Sequence, residues 1–286
     1  MKIVILGKNG QLGKELNSCL LKNKYKVIAY DKKELDILEY KKVSSQITKE
    51  KPDVVINTTA FHVTTECELY PEKAFAVNAF ALKNLSEVCN LNKTRLVTYS
   101  TDYVFDGNKG KPYVESDKPN PLQIYGMSKY LGEMICQKYA NDYIIIRTSG
   151  IYGGKLGSKS KKGNFILNII QQSKKVKKLE VSKEQTISST YAADLAKATQ
   201  EVIEKKIPSG IYHLVNTELC TWADLAKYVI EENAIDCIIK PINRKGGANE
   251  MNRPLFSALA NTKAKKFGII LPDWKSAVKK YLLSIN

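Results

Sequence analysis

The stretch "KIVILGKNGQLG", residues 2 to 13, decides how this chain is read. Its first five residues, Lys2 to Leu6, form an apolar run rich in Val and Ile, the length of a buried strand and too short for a helix. The run enters Gly7-Lys8-Asn9-Gly10-Gln11-Leu12-Gly13, a G-x-x-G-x-x-G turn that opens an amphipathic stretch. Glycines Gly7, Gly10 and Gly13 at such a turn let the backbone approach a pyrophosphate, which the next helix meets with unpaired N–H groups and the positive end of its dipole. Three glycines can also serve only a tight turn. The position after a first strand and before a helix is the context that the dinucleotide reading requires.

Outward from this unit, the runs "KVIAY" (26 to 30), "DVVINTTA" (53 to 60), "RLVTYS" (95 to 100) and "YIIIRTS" (143 to 149) suit strands buried on both faces of a parallel sheet. Helical candidates lie between them. In "PEKAFAVNAFALKNLSEVC" (71 to 89), Ala74, Val77, Leu82, Leu85 and Cys89 recur at helical intervals, and Pro71 fits a first turn. The alternation predicts an α/β fold, a Rossmann-like doubly wound parallel sheet. Residues 1–150 are expected to form the dinucleotide-binding domain, with a later segment near 185–205 returning to it. After residue 150 the rhythm changes. The basic segment "GGKLGSKSKKGN" (153 to 164) reads as a mobile loop. It is followed by a helix near 191 to 204, a strand "GIYHLV" (210 to 215), a helix from about Thr221 and a closing helix after "LPDW". Residues 151–286 are expected to form mainly a smaller, partly interleaved α/β substrate-binding lobe.

Composition narrows the function class. The 286 residues are 43% apolar and 26% charged, with no apolar run near bilayer length, so a globular protein without a membrane span is expected. The amino terminus lacks the pattern of a secretory signal, which predicts a cytoplasmic protein. Six scattered cysteines contain no Cys-x-x-Cys pair and read as reduced thiols. The two histidines, His62 and His213, are not spaced for a metal with other ligands, and no metal site is predicted. A net charge of +16 invites a nucleic-acid reading, but the lysines are spread out, arginine is scarce, and "KKVKK" (174 to 178) lacks interleaved aromatics for stacking. Solvated lysine faces account for the charge, which favours anionic small molecules; no nucleic-acid partner is expected.

Three further features carry chemistry. In "QIYGMSK" (123 to 129), Tyr125 and Lys129 stand four apart at a helix start, so hydroxyl and ammonium share a face. Chance produces such pairs in a lysine-rich chain, yet this is the only Tyr-xxx-Lys in the sequence. Asp31, at the end of the second strand, can accept hydrogen bonds from an adenosine ribose, which favours NAD; Lys32 and Lys33 can instead pair with the 2′-phosphate of NADP. Asp36-Ile37 either reach the adenine or are a solvated acid beside a core residue. Ser100-Thr101-Asp102 end the fourth strand at the carboxyl edge of the sheet, where a hydroxyl can donate to a carbonyl oxygen or where Asp102 simply caps a turn.

With these residues in place, the chain resembles the extended short-chain dehydrogenase/reductases, and among them the dTDP-4-dehydrorhamnose reductase family. The matching stretches, in order along nearly the whole chain, include "GKNGQLGKEL", "KPDVVINTTAF", "LVTYSTDYVFDG", "NPLQIYGMSKYLGE", "IIIRTSGIYGG", "TYAADLA" and "RPLFSAL". The resemblance implies an NADPH- or NADH-dependent reductase of a nucleotide-linked 4-keto-6-deoxy sugar, on the route to dTDP-L-rhamnose for surface polysaccharide. It implies Tyr125 as catalytic acid, Lys129 as its partner and nicotinamide-ribose ligand, and Thr101 as the hydroxyl that polarises the carbonyl. It further implies Gly10, Gln11, Leu12, Asp31, Asp36, Ile37, Ala60, Phe61, His62 and Tyr99 at the dinucleotide, and Thr101 and Asp102 at the sugar. The chain departs from the family where "RTSWVYG" is replaced by a stretch with Gly150 at the tryptophan, where "AVDKAE" is replaced by "VTTECE" (63 to 68), and where a proline is replaced by Ser189. Glu15 matches a position linked in some members to a metal-bridged dimer, but one carboxylate is too little to predict a metal; a homodimer is one expected partner state. A regulatory subunit of methionine adenosyltransferase resembles the same family and is the non-catalytic alternative.

Overall fold

The computed structural model describes residues 1–155, 163–243 and 252–285; residues 156–162, on which much of the loop expectation falls, lie outside them. Six strands form the main sheet: β1 (Lys2–Leu6), β2 (Lys26–Tyr30), β3 (Val54–Asn57), β4 (Arg95–Thr101), β5 (Tyr143–Thr148) and β6 (Gly210–His213). All pairings are parallel, in the spatial order β6-β5-β4-β3-β1-β2. Strand β1 lies between β2 and β3, so the winding reverses there and a crevice opens at the carboxyl ends of the strands.

Alternate side chains of each strand enter opposite layers, as the two-residue period of a strand dictates. Ile3 and Ile5 pack with Leu12, Leu16 and Leu20 of helix α1 (Gln11–Lys22), together with Leu195 and Val202 of a later helix, Ala192–Glu204. Val4 and Leu6 pack on the other face with Val43 and Ile47 of α2 (Tyr40–Glu50), Leu82 and Leu85 of α3 (Ala81–Leu91), and Cys136 of α4 (Ile124–Tyr139). Each fully buried Leu or Ile contributes about 1.5–3 kcal/mol, so the frame under the crevice is held from both sides. Helix Ala192–Glu204 becomes α5 in this frame.

Two expectations are corrected in detail. The predicted returning segment stops near 205, but the chain runs on to pair Gly210–His213 with β5 as the outermost strand. Periodicity identifies a strand and says nothing of its partner. The helix expected over 71 to 89 is interrupted by a π turn at Ala76–Phe80 between Pro71–Phe75 and α3. The turn presents the Asn78 amide to the backbone of Phe61, accepting from its N–H at 2.9 Å and donating to its carbonyl at 2.8 Å.

A second core gathers Ile166, Val181, Ala226, Val229, Trp274 and Val278 from helices Phe165–Ser173, Trp222–Glu232 and Trp274–Ile285 and from a parallel strand pair, Lys178–Ser182 with Ile238–Ile242. Thr221 and Asp224 form a reciprocal capping box that starts the middle helix. The six cysteines are free thiols. No helix among the described residues is long and apolar enough to cross a membrane.

Candidate active site

A cleft of about 740 Å³ runs along the carboxyl ends of the sheet and on between the two cores. Its first wall is the glycine turn. Gly7 sits at φ +92°, and a Cβ there would lie 2.5 Å from Thr58 Oγ1; a Cβ on Gly13 would lie 2.2 Å from the Gly7 carbonyl oxygen. Packing therefore forces glycine at both positions. Gly10 differs: its nearest neighbour to an added Cβ is 3.5 Å away, so the fold itself leaves room there. Gly10 is also the N-cap of α1, no side chain caps that helix, and its first turn carries no acid. An uncapped helix start behind an open glycine is suited to a phosphate.

Beyond the turn, Asp31 accepts hydrogen bonds from the N–H groups of Lys33 (2.8 Å) and Glu34 (3.0 Å) and from the Asn9 amide (2.6 Å). The Glu34 N–H, first among these, holds the Asp31 carboxyl below the usual range. Lys32 reaches back to Asp36 at 3.6 Å and lines the cleft, whereas Lys8 pairs with Glu34. Gln11 Oε1 accepts from the N–H of Gly153 at 3.1 Å, tying the glycine turn to the second core. Leu12, Asp36, Ile37, Ala60, Phe61 and His62 complete this end. Tyr99 lines it too, but its hydroxyl bonds Thr199 of α5 at 2.8 Å and so faces the interior.

In the middle of the cleft stands the first turn of α4. Gln123 caps it by accepting from the Gly126 N–H, and α4 lies against backbone: a Cβ on Gly126 would be 2.1 Å from the Tyr103 carbonyl oxygen, one on Gly132 2.2 Å from that of Asn78. Asn78 also donates to Ser128 Oγ at 3.0 Å, joining the Phe61 loop to α4. Tyr125 and Lys129 thus reach the cleft from one fixed face. Burial, reinforced by the charge of Asp102, pushes the Tyr125 phenol up, while Thr101 hydrogen-bonds it and opposes the rise. Burial lowers Lys129 to about 8, with Glu133 one turn on pulling the other way. Glu133 is itself held by Arg147 of β5 in a buried bidentate pair at 2.8 and 2.6 Å. Removing one partner of such a pair strands the other, at a cost of about 3–5 kcal/mol. At the end of β4, Thr101 donates to Asp102 at 3.1 Å and Ser257 donates to its other oxygen. Burial raises Asp102 to about 6 despite these donors.

The catalytic, dinucleotide and sugar candidates from the sequence line this one cleft, including Gly150, whereas Lys33 and Glu15 do not. Gly150 has φ +53°, and an added Cβ would meet Ile187, Ser188 and Ser189 at 3.3 Å. Where the resemblance implies a tryptophan, this chain has a glycine in the left-handed region. Residues that sequence reasoning missed are Asn78, Ser257, Arg253, Phe165 and Trp222, all touching the site or its supports. "RPLFSAL" signalled Arg253 and Ser257 as part of a matching stretch, but neither stands out by spacing. Among the described residues, no group of three His, Cys, Asp or Glu side chains could hold a metal ion.

Comparison with known proteins agrees with this geometry. The family model of the RmlD substrate binding domain matches residues 1–286. Among curated proteins, the dTDP-4-dehydrorhamnose reductase of Escherichia coli K12 is 32% identical over 299 residues, covering 99% of this chain and 97% of that one. The chain belongs to the dTDP-4-dehydrorhamnose reductase family. Another relative is the spore coat polysaccharide biosynthesis protein SpsK of Bacillus subtilis, 34% identical over 281 residues, with 98% of this chain and 96% of that one covered. The crystal structure of dTDP-4-dehydrorhamnose reductase from Bacillus anthracis, in complex with NADP, superposes with a TM-score of 0.93 at 31% identity and covers 99% of both chains. The family is one of oxidoreductases, and its fold is the one described above.

Proposed function

We propose that this chain catalyses NAD(P)H-dependent reduction of the 4-keto group of a nucleotide-linked 6-deoxy sugar, with dTDP-4-dehydro-L-rhamnose as first candidate and dTDP-L-rhamnose as product for surface polysaccharide. The observation that carries it is the convergence of Tyr125, Lys129 and Thr101 on the cleft that the glycine turn opens. The open Gly10 and the uncapped α1 fit a dinucleotide pyrophosphate. Bound there, the reduced nicotinamide supplies a hydride to the carbonyl carbon. Asp31 and Lys32 are the residues available to the adenosine ribose, as either hydroxyl or 2′-phosphate partners.

The chain's own residues handle the proton. As the carbonyl π bond breaks, its electron pair moves onto oxygen, which takes the Tyr125 proton; the phenolate left behind is reprotonated from water. A phenol pushed up by burial keeps its proton until the oxyanion forms, which suits a donor. The Lys129 ammonium, four residues on along the same helix face, stabilises the phenolate and offers donors to the nicotinamide ribose. The Thr101 hydroxyl, which donates to Asp102 here, turns that proton to the carbonyl oxygen when substrate binds, and the Asp102 oxygen it leaves accepts from a sugar hydroxyl instead. Arg253, at the far end, is a cation suited to the diphosphate.

Glycine at position 150, in place of the tryptophan that the resemblance implies, favours a second reading within the same chemistry, reduction of a different nucleotide keto-sugar. Residues after 151, apart from those returning to the main sheet, form the substrate lobe in this proposal, and the enzyme acts in the cytoplasm, as a homodimer, without a nucleic-acid partner. The test is oxidation of NADPH and NADH with a panel of nucleotide keto-sugars, with the product identified. Turnover to the 4-alcohol supports the assignment. Dinucleotide binding without turnover of any keto-sugar sinks it and favours a regulatory role, as in the methionine adenosyltransferase subunit.

A further inference from the structure

Helix α4 carries two buried charges one turn apart. Lys129 is 5% exposed and Glu133 2%, and positions four apart share a face of a helix. Both oxygens of Glu133 are taken by the Arg147 guanidinium of β5, from Nε at 2.8 Å and from Nη2 at 2.6 Å, and Arg147 is buried as well. Two buried cations therefore share one carboxylate. The fork is itself held: the Arg147 Cζ lies 5.0 Å from the centre of the Phe105 ring, and Gly132, next to Glu133, lies against the Asn78 backbone. A planar fork and a fixed helix keep the carboxylate from leaning toward Lys129. The other groups around Lys129 are Tyr125 on its own helix, Asp102 and Tyr103 after β4, and Cys67 on the helix Thr64–Leu69. Glu66, Glu68, Glu72, Lys73, Lys83 and Glu87, on the helices packed against α4, are exposed, and burial keeps the Cys89 and Cys136 thiols protonated. Tyr99 points into the opposite layer, and Arg95 and Tyr143 begin β4 and β5 at the other end of the sheet. Among all these, Glu133 is the charge that acts on Lys129, against the burial that lowers it.

We propose that Glu133 and Arg147 are a positioning unit for Lys129, in which the arginine fork sets how much of the carboxylate's charge reaches the ammonium that partners Tyr125. The inference rests on the reaction proposed above, and neither residue of the unit lines the cleft. The sign of each contribution follows from Coulomb's law. Loss of the Glu133 charge removes the anion that favours the ammonium, so Lys129 gives up its proton more readily. Loss of the Arg147 charge frees both oxygens of Glu133, whose remaining buried cation is Lys129, so the ammonium persists to higher pH. A pair that serves the fold alone shows no such opposition: removing either half strands the other and weakens the protein in the same direction.

The test titrates Lys129 in the full chain without ligands, by NMR of protein labelled at the lysine ε-carbons, with the Lys129 resonance assigned by its loss in Lys129→Met. Wild type is expected to titrate at about 8. Glu133→Gln, which keeps an acceptor for the arginine, is expected to titrate about one unit lower, and Arg147→Met about one unit higher. The alkaline limb of kcat/KM for keto-sugar reduction is expected to move with them, to lower pH in the first variant and to higher pH in the second. If a single variant does not fold, Glu133→Gln/Arg147→Met, which removes both buried charges together, decides: with the carboxylate gone, its Lys129 is expected to titrate below wild type, as in Glu133→Gln. A Lys129 titration unchanged in Glu133→Gln or in the double variant overturns the unit, as do shifts of the same sign in the two single variants. Turnover that depends on Tyr125 beside an unmoved Lys129 titration removes the unit and leaves the reaction standing; opposed shifts without turnover of any keto-sugar support the unit and remove the reaction.

Discussion

At the glycine-turn end of the cleft the wall is backbone: Gly7 and Gly13 are pressed against Thr58 and against each other, with gaps that no side chain could enter. At the far end the wall is side chain: Phe165, Ile187, Trp222 and Arg253, from four separated stretches, with Gly150 beside Ile187. A wall of backbone tolerates few residue types, so it leaves a readable pattern in the sequence and is shared by proteins of different substrates. A wall of side chains can be rebuilt residue by residue, which makes it the place where substrate choice changes while the fold stays.

The sharpest way to break this contrast is at Gly13. Gly13→Ala drives a methyl into the Gly7 backbone, and a denaturant melt is expected to show a loss of about 3 kcal/mol, with dinucleotide binding lost as well. An unchanged melt would mean that the turn is not built by packing. Gly10→Ala separates ligand from fold: the melt stays within about 1 kcal/mol of wild type while the dinucleotide affinity falls about tenfold, because the methyl occupies only the space reserved for the pyrophosphate. Equal losses in both variants would erase the distinction between Gly10 and its neighbours.

The middle of the cleft predicts a pH profile. Asp102 is raised to about 6 and Lys129 lowered to about 8, in each case chiefly by burial. Below 6 the carboxylate gains a proton and with it loses the acceptor role proposed for it; above 8 the lysine loses the charge proposed to steady the phenolate. The kcat/KM for reduction is expected to rise through about 6 and fall through about 8, changing up to tenfold per pH unit on each limb. Asp102→Asn should abolish the acid limb and keep the alkaline one; a flat profile between pH 5 and 9 contradicts the account. Smallest is the effect of Gly150→Ala, about 1 kcal/mol of stability from the left-handed backbone at φ +53° with little change in the dinucleotide affinity. A larger loss of stability than in Gly13→Ala would invert the comparison.

The same contrast explains what the sequence disclosed. Strands β1 to β5 were legible because short Val- and Ile-rich runs have no other use in a doubly wound sheet, and the glycine turn because its neighbours are backbone. Tyr125 and Lys129 were legible through helical spacing. The partner of β6 was not, because a four-residue strand carries no signal of where it docks. Asn78 hid inside a helical pattern that its π turn breaks, and Ser257 and Trp222 reach the cleft across 155 and 37 residues from their partners Asp102 and Gln185, distances over which spacing carries no information.

The central claim, that Tyr125 gives the proton that completes a carbonyl reduction, is tested most directly by following NADPH oxidation by wild type and Tyr125→Phe at saturating keto-sugar nucleotide. The account predicts a fall in kcat of about 10²–10⁴ with NADPH affinity unchanged, because only the hydroxyl is removed. Equal rates in the two proteins would contradict it.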